Sequence, residues 1–244
     1  MNKLIVGAAT AMGLALGTLA VAQPGGDAGR PAADVARDDA RKPSVMVAFA
    51  QIKPGETVVD LIPGGGYFTR VFSDAVGPTG HVYAVVPDGV AKRSPDAVTG
   101  MNALAAEPGR GNVAVVVEPL ATIRPAGTVD VVWTSQNYHD MHNPALPAGT
   151  AAGVDKAAFE ALKPGGFFVV EDHAAAAGSG VRDAGTLHRI DKEAVKSEVL
   201  AAGFVLDAES DALRNPADDH TLKVFDPAIR GHTDQFVYRF KKPG

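Results

Sequence analysis

The sequence contains no cysteine and few aromatic residues, which make up 6% of its 244 residues. The absence of cysteine excludes disulfide bridges, thiolate catalysis and thiolate metal sites, so the folded chain must be stabilised by its core. No long run of one charge sign occurs, and the formal net charge is only −5. Because nucleic acid and anionic membranes select basic proteins, we expect neither as a partner.

Long uncharged apolar segments are also scarce, and the longest one lies within the first 22 residues. It follows Lys3 and ends in Ala20-Val21-Ala22, a small-residue pattern typical of signal-peptide cleavage. Gly and Ala dilute its hydrophobicity, which favours cleavage over a retained membrane anchor. We predict a signal peptide over residues 1–22, export to the periplasm or the medium, and no membrane attachment after cleavage. Residues 23–41 are expected to form a flexible linker that becomes helical near its end.

From residue 42 onward, apolar segments of strand length alternate with segments of helical spacing. The seven expected strands are TVVDLI, GHVYAVV, NVAVVV, TVDVVWTS, FFVVED, VLDAES and TDQFVYRFKKP. This alternation predicts one α/β domain over residues 42–244, with a mostly parallel sheet covered by helices on both faces. No helical pattern separates the last two strands, so they should form an antiparallel hairpin with a long insert over residues 211–232.

Polar residues and glycines cluster where the predicted strands end. Gly64, Gly65 and Gly66 follow the first strand, Asp88 the second and Glu118 the third. The fourth strand is followed by QNYHDMHN and the fifth by EDHAAAAGSG. In open parallel sheets, ligands bind outside the carboxyl ends of the strands, so these residues predict one ligand site along one edge of the sheet.

Taken together, the glycine-rich first loop, LKPGGFFVVED, AAGF and the terminal strand pair resemble class I S-adenosylmethionine-dependent methyltransferases over about residues 40–243. PGGGYFT, NYHDMHN, DHAAAAGSGVRDAGTLHRID and DPAIRGHTDQFVYRFKKP are similar to a bacterial group of exported predicted methyltransferases of unestablished substrate. The resemblance implies a Rossmann-like methyltransferase fold of seven strands in the order 3-2-1-4-5-7-6. It also implies S-adenosylmethionine as cofactor and a small-molecule acceptor.

The family's first loop has the pattern acid-x-Gly-x-Gly-x-Gly, which here is Asp60-Leu61-Ile62-Pro63-Gly64-Gly65-Gly66. Ile62 occupies the first glycine position, where a side chain restricts the turn. The resemblance implies that Asp60 and the three glycines bind the amino-acid end of the cofactor. A tight strand–helix turn without a ligand is the alternative interpretation of this loop.

The resemblance also implies a carboxylate at the end of the second strand, which would bind the ribose hydroxyls. Val86 stands there instead, and Asp88 is the nearest substitute, although it could equally be a turn residue before Gly89. Glu118 matches a position that often faces the adenine, or it is a solvated loop carboxylate.

The fourth and fifth loops carry the candidate catalytic residues, which are Tyr138, His139, Asp140, Asp172, His173 and His188. In the family, the fourth loop faces the methyl group and the acceptor. We expect His139 to be the general base, because imidazole titrates near neutrality, with Asp140 or Asp172 orienting it. Tyr138 would hydrogen-bond to the acceptor or stack on it.

Two other functions are compatible with the same residues. One is a metal-dependent enzyme built on the His139, His142 and His173 cluster. With Asp140, Asp172 and His188, these histidines offer mixed nitrogen and oxygen ligands that suit Zn, Fe or Mn, although their spacing matches no known metal motif. The other is a non-catalytic ligand-binding protein on the same scaffold. S-adenosylmethionine-dependent methyl transfer is the function we expect, with no metal assigned.

Overall fold

The computed structural model describes Met1, residues 29–124 and residues 127–244. The predicted signal peptide, apart from Met1, and the first residues of the predicted linker lie outside the described residues. Within the described ranges, no helix combines the length and the hydrophobicity needed to cross a membrane.

In the described part of the chain, seven strands form one sheet in the order β3-β2-β1-β4-β5-β7-β6. The strands are β1 (Thr57–Leu61), β2 (His81–Pro87), β3 (Val113–Glu118), β4 (Val129–Ser135), β5 (Leu162–His173), β6 (Val205–Ser210) and β7 (Gln235–Lys241). β1 to β5 pair in parallel, and β7 runs antiparallel to both β5 and β6. The predicted fold class, strand order and terminal hairpin are confirmed.

Helices cover both faces of the sheet. They are α1 (Ala32–Val35), α2 (Asp38–Arg41), α3 (Pro43–Phe49), α4 (Tyr67–Val76), α5 (Asp88–Arg93), α6 (Pro95–Ala105), α7 (Thr150–Ala161), α8 (Ala184–Leu187) and α9 (Lys192–Ala201), with a 3-10 helix over His139–His142. Val58 and Val59 are both fully buried, one in the core beneath α3, α4 and α6 and the other in the core beneath α7 and α9. Because successive strand residues face opposite sides, two buried faces require the near-continuous apolar strands seen in the sequence.

The N-terminal segment differs from the expected flexible linker, since α1 and α2 pack against the sheet domain. Asp38 accepts hydrogen bonds from Arg30 (2.8 Å) and from the hydroxyl of Tyr67 (2.6 Å). Arg41 donates to the hydroxyl of Ser135 at the end of β4 (2.6 Å). Charged and polar contacts hold these helices, so their sequence carries no apolar stripe and has the composition of a linker. The domain therefore extends upstream of residue 42.

One helix also ends earlier than expected. The sequence predicts that the helix preceding the fifth strand continues into the Pro-Gly-Gly stop, whereas α7 ends at Ala161 and β5 begins at Leu162. Gly165 has a φ of 81°, and the pairing of β4 with β5 is irregular between Val129 and Val131. The Pro-Gly-Gly segment therefore forms the irregular start of a strand.

Candidate functional site

Three cavities lie along the edge of the sheet where β1, β2, β4 and β5 end. The first-loop cavity, of about 250 Å³, is lined by Asp60, Gly64, Gly65 and Asn137, among others. The β2-side cavity, of about 420 Å³, is lined by Asp88, Leu120 and Asp140. The insert-side cavity, of about 600 Å³, is lined by residues of α2, β7 and the insert, including Arg37, Arg41, His173, Phe225 and Arg230. The edge predicted from the sequence therefore contains the concave surface that a ligand requires.

Ile62 separates the first-loop cavity from the β2-side cavity and lines both. Its φ is 59°, a left-handed conformation that β-branched residues rarely adopt. Two hydrogen bonds hold it there: its N–H donates to the carbonyl of Val85 (3.0 Å), and its carbonyl accepts from the amide of Asn137 (3.1 Å). The backbone thus follows a path suited to glycine, although the residue is isoleucine.

The three glycines after Ile62 have different roles. A Cβ added to Gly64 or Gly65 would meet no atom within 4 Å, and both residues line the first-loop cavity. A Cβ on Gly66 would lie 2.2 Å from Cδ1 of Leu104 in α6. Because Gly66 has no side chain, the start of α4 can lie close to Leu104 of α6. At Gly64 and Gly65, the missing side chains leave the backbone accessible from the cavity.

Asp60 is buried at the end of β1, where its Oδ2 accepts a hydrogen bond from the hydroxyl of Thr69 (2.6 Å). Burial raises the pKa of Asp60 to about 6. The end of β1 therefore presents a carboxyl group to the first-loop cavity, at the position that the sequence pattern indicates.

The other two expected cofactor residues lie at the ends of β2 and β3. Asp88 begins α5, lines the β2-side cavity and forms an exposed ion pair with Lys92 (2.7 Å), which lowers the pKa of Asp88. Oε2 of Glu118 is buried and has no hydrogen-bond partner among the described residues, with Arg124 3.5 Å away. Glu118 is not a lining residue of the cavity, but Leu120, two residues on, is.

Four predicted catalytic residues form one cluster at the ends of β4 and β5. Nδ1 of His139 lies 2.8 Å from Oδ1 of Asp172, and Oδ2 of Asp172 accepts from the backbone N–H of His139 (2.7 Å). On the other side of the ring, Nε2 of His139 lies 3.3 Å from Nδ1 of His188 and 3.4 Å from Oδ1 of Asp140. We name His139, Asp140, Asp172 and His188 the His139 cluster.

Charge and burial act in opposite directions on the pKa values of this cluster. Burial alone lowers the pKa of His139, but the negative charges of Asp172 and Asp140 outweigh burial and raise it. Burial alone would raise the pKa of Asp172, and the neighbouring His139 holds it below its ordinary value instead. The Asp172 carboxylate therefore fixes the orientation of the imidazole, the role that the sequence analysis left open between Asp140 and Asp172.

His173 lies beside this cluster but has a different partner. Its Nδ1 is 2.8 Å from the hydroxyl of Thr233, and burial lowers the pKa of His173 to about 4. It lines the insert-side cavity, with its ring centroid 6.0 Å from that of His139. A neutral imidazole at this position can exchange hydrogen bonds with a ligand in that cavity.

Tyr138 is not brought to the His139 cluster, because it lies in the core beneath α7 and α9. Its hydroxyl hydrogen-bonds to Asp155 (2.9 Å) and Glu198 (3.0 Å), and Nε2 of His142 lies 3.0 Å from the same Glu198 oxygen. Tyr138, directly before the 3-10 helix, and His139, its first residue, thus point to different sides. Their closeness in the sequence does not reveal this difference. The expected metal cluster of His139, His142 and His173 is likewise separated, since each histidine has its own partner.

The sequence analysis missed the contribution of α2 to the site. Arg37 and Arg41 line both the first-loop cavity and the insert-side cavity. Arg41 donates to Ser135, whose hydroxyl in turn donates to the fully buried carboxylate of Glu171 (2.8 Å). The segment around these two arginines has the composition of a linker and no hydrophobic periodicity. Its position at the site depends on tertiary contacts, which the sequence does not reveal.

No known protein-family model matches the sequence. In three dimensions, the chain is similar to a SAM-dependent methyltransferase from Aquifex aeolicus (TM-score 0.61, 17% identity, 85% of this chain and 93% of that chain). It is also similar to the [4+2]-cyclase SpnF (TM-score 0.62, 18% identity, 88% and 84%). A possible exported protein from Bordetella parapertussis shares the fold as well (TM-score 0.55, 13% identity, 84% and 68%).

These similarities establish the fold alone. At sequence identities this low, they do not show that individual residues have the same chemical roles. The cyclase among them shows that one scaffold supports different reactions. With its strand order and its antiparallel β7, the chain has the fold of class I S-adenosylmethionine-dependent methyltransferases.

Proposed function

We propose that this protein is an exported methyltransferase that uses S-adenosylmethionine to methylate a small acceptor. The conformation of the first loop, between β1 and α4, is the main support for this proposal. Ile62 is held in the conformation of the glycine that it replaces, and Gly64 and Gly65 leave open backbone beside Asp60. A left-handed isoleucine costs about 1–2 kcal/mol, so its retention favours a loop shaped for a ligand over an ordinary turn.

The residues present match the chemistry of the cofactor. Asp60 can pair with the amino group of the methionine part, while backbone groups at Gly64 and Gly65 can approach its carboxylate. Asp88 lines the next cavity along the edge, where a carboxylate can accept from ribose hydroxyls. Oε2 of Glu118, which forms an ion pair with Arg124 but accepts no hydrogen bond from the described residues, can accept one from an exocyclic amino group such as that of adenine. When bound, S-adenosylmethionine would supply an electrophilic methyl group.

The acceptor would meet the His139 cluster, because Asp140 lines the same cavity as Asp88. Asp172 occupies Nδ1 of His139, so Nε2 is the ring atom that can accept a proton from an acceptor group. Removing a proton from a hydroxyl or an amine makes it a better nucleophile towards a methyl group. His139 is accordingly the proposed acceptor-facing base, and Asp172 is its positioning residue.

The N-terminal sequence pattern supports export of the protein. A charged start, an apolar segment and Ala20-Val21-Ala22 have the order of a secretory signal. The fold of a possible exported protein from Bordetella parapertussis is consistent with a methyltransferase-like domain outside the cytoplasm. Labelling of the expressed protein at the new N-terminus, Gln23 on this prediction, would test the cleavage site.

Calorimetric titration with S-adenosylhomocysteine, the demethylated product, tests cofactor binding without knowledge of the acceptor. We expect saturable binding of micromolar affinity. Gly64→Ala should weaken binding by at least about tenfold, because a methyl group there enters the space next to the cavity.

Gly109→Ala is the matched control for this titration. Gly109 also has a positive φ, 84°, and open space around an added Cβ, but it precedes β3 at the opposite edge of the sheet. Both variants should lose similar stability, and only Gly64→Ala should lose binding. Absence of binding at millimolar ligand, or equal loss in the two variants, would contradict the proposal.

A further inference from the structure

Three ligand atoms of the His139 cluster form a nearly equilateral triangle. Nε2 of His139 lies 3.3 Å from Nδ1 of His188 and 3.4 Å from Oδ1 of Asp140, and the third side is 3.5 Å. Among the described residues, these are the side chains of His, Asp and Glu that converge closely enough to hold one metal ion. Nε2 of His139 and Nδ1 of His188 are within hydrogen-bonding distance, but all three separations exceed the usual N–H···O distance of about 2.9–3.0 Å.

The size of the triangle matches tetrahedral coordination. Zinc bonds to histidine nitrogen and carboxylate oxygen are about 2.0–2.2 Å long, which places two tetrahedral ligand atoms about 3.3–3.5 Å apart. Octahedral ligands at similar bond lengths would be only about 3.0 Å apart, so the observed distances favour four-coordinate zinc over Mg²⁺ or Mn²⁺. Two imidazoles and one carboxylate are also a donor set that zinc accepts.

The buried Asp172 provides independent support for a metal. Histidines that ligate metals usually donate their other ring N–H to a carboxylate, which fixes both the tautomer and the direction of the lone pair. Asp172 is fully buried, accepts from Nδ1 of His139 and accepts two backbone N–H groups, those of His139 and His173. Nε2 of His139 is thereby directed at His188 and Asp140, where a metal ion could bind it.

His188 is placed in the triangle by an unfavourable backbone conformation, with φ 57° and ψ 47°. The next residue, Arg189, is fully buried, pairs with Asp218 (2.8 Å) and donates to the carbonyls of Ala174 and Leu222. This anchor holds the strained histidine in position. Asp140 and His188 remain partly exposed, with side-chain accessibilities of 50% and 24%, so one side of the triangle is open to solvent.

We propose that His139, Asp140 and His188 bind one Zn²⁺ ion with an open fourth position at the rim of the β2-side cavity. Three protein ligands and one open position are the pattern of catalytic zinc sites. If the proposed function holds, the open position would receive an oxygen atom of the methyl acceptor. Nε2 of His139 would then be a zinc ligand and not a base, and Zn²⁺ would supply the activation by lowering the pKa of the bound oxygen group.

Zinc binding is measurable without cofactor or acceptor. The exported protein, stripped with a chelator and dialysed, should bind one equivalent of Zn²⁺ in a calorimetric titration. Co²⁺, added in its place, should give the intense visible absorption of a four-coordinate site. His188→Ala and Asp140→Asn should each weaken zinc binding by about 100-fold or more, since each removes one of three ligands.

His142→Ala is the matched control, because His142 lies in the same 3-10 helix and pairs with Glu198 instead. It should bind zinc like the unmodified protein, with circular dichroism confirming that all variants are folded. No saturable zinc binding, or equal losses in His142→Ala and His188→Ala, would overturn the proposal. Because S-adenosylhomocysteine binding is measured separately, loss of the zinc site and loss of the methyltransferase assignment are distinguishable.

Discussion

At the residue scale, Ile62 is the most informative position in the molecule. In the sequence it interrupts the glycine pattern of the first loop and weakens the case for a cofactor site. In the structure it adopts the left-handed conformation and forms the wall between two cavities. The substitution therefore changes the surface of the site and leaves the course of the backbone unchanged.

Ile62→Gly should destabilise the protein less than an ordinary Ile→Gly change. Both changes lose a half-buried side chain and add backbone freedom to the unfolded chain, but Ile62→Gly also relieves about 1–2 kcal/mol of left-handed strain. Ile229, half-buried and without a positive φ, is the control. Urea unfolding should show a free energy of unfolding about 1–2 kcal/mol higher for Ile62→Gly than for Ile229→Gly. An Ile62→Gly variant as unstable as the control would show that the loop carries no strain.

At the element scale, the insert between β6 and β7 acts as an anchor for the site. From the sequence alone, the charged residues of the insert could bind a substrate or form ion pairs with one another. Asp218 pairs with the buried Arg189, and Asp234 accepts from Arg214 (2.8 Å). The Asp218–Arg189 ion pair connects the insert to the segment that carries His188, whereas Arg214 and Asp234 both lie between β6 and β7. Through the first pair, the insert supports the geometry of the His139 cluster.

Arg189→Met should destabilise the fold by about 3–5 kcal/mol, because it leaves the buried carboxylate of Asp218 without its cation. Lys156→Met is a suitable control, since Lys156 pairs with Glu160 on the exposed side of α7, where such pairs contribute about 0.3–0.5 kcal/mol. Urea unfolding of each variant and of the unmodified protein gives the two losses in the free energy of unfolding. A loss below about 1 kcal/mol for Arg189→Met would mean that Asp218 finds another partner.

At the scale of the whole molecule, the sheet was predictable and part of the site was not. Strands such as β1 and β4 are mostly apolar because both faces are buried, and this local pattern is visible in the sequence. The end of each strand also follows from the pattern, which is why Asp60, Asp88 and His139 are predicted at this edge. The direction of a side chain beside a short 3-10 helix depends on its packing, so Tyr138 was placed at the site although it lies in the core.

The N-terminal segment shows the same limit. Arg37 and Arg41 reach two cavities only because α1 and α2 are held by polar contacts to residues far along the chain, such as Ser135. Contacts of this kind leave no periodic pattern in the sequence. His188 was proposed from the sequence, but its closeness to His139 depends on the anchor provided by Arg189 and Asp218.

The most direct test of the central claim is a crystal structure of the protein with S-adenosylhomocysteine. We predict that the ligand crosses the edge of the sheet at Ile62, with its amino-acid end beside Asp60 and Gly64 and its ribose beside Asp88. A ligand bound elsewhere, or with its amino-acid end away from Asp60, would contradict the assignment of this edge as the cofactor site.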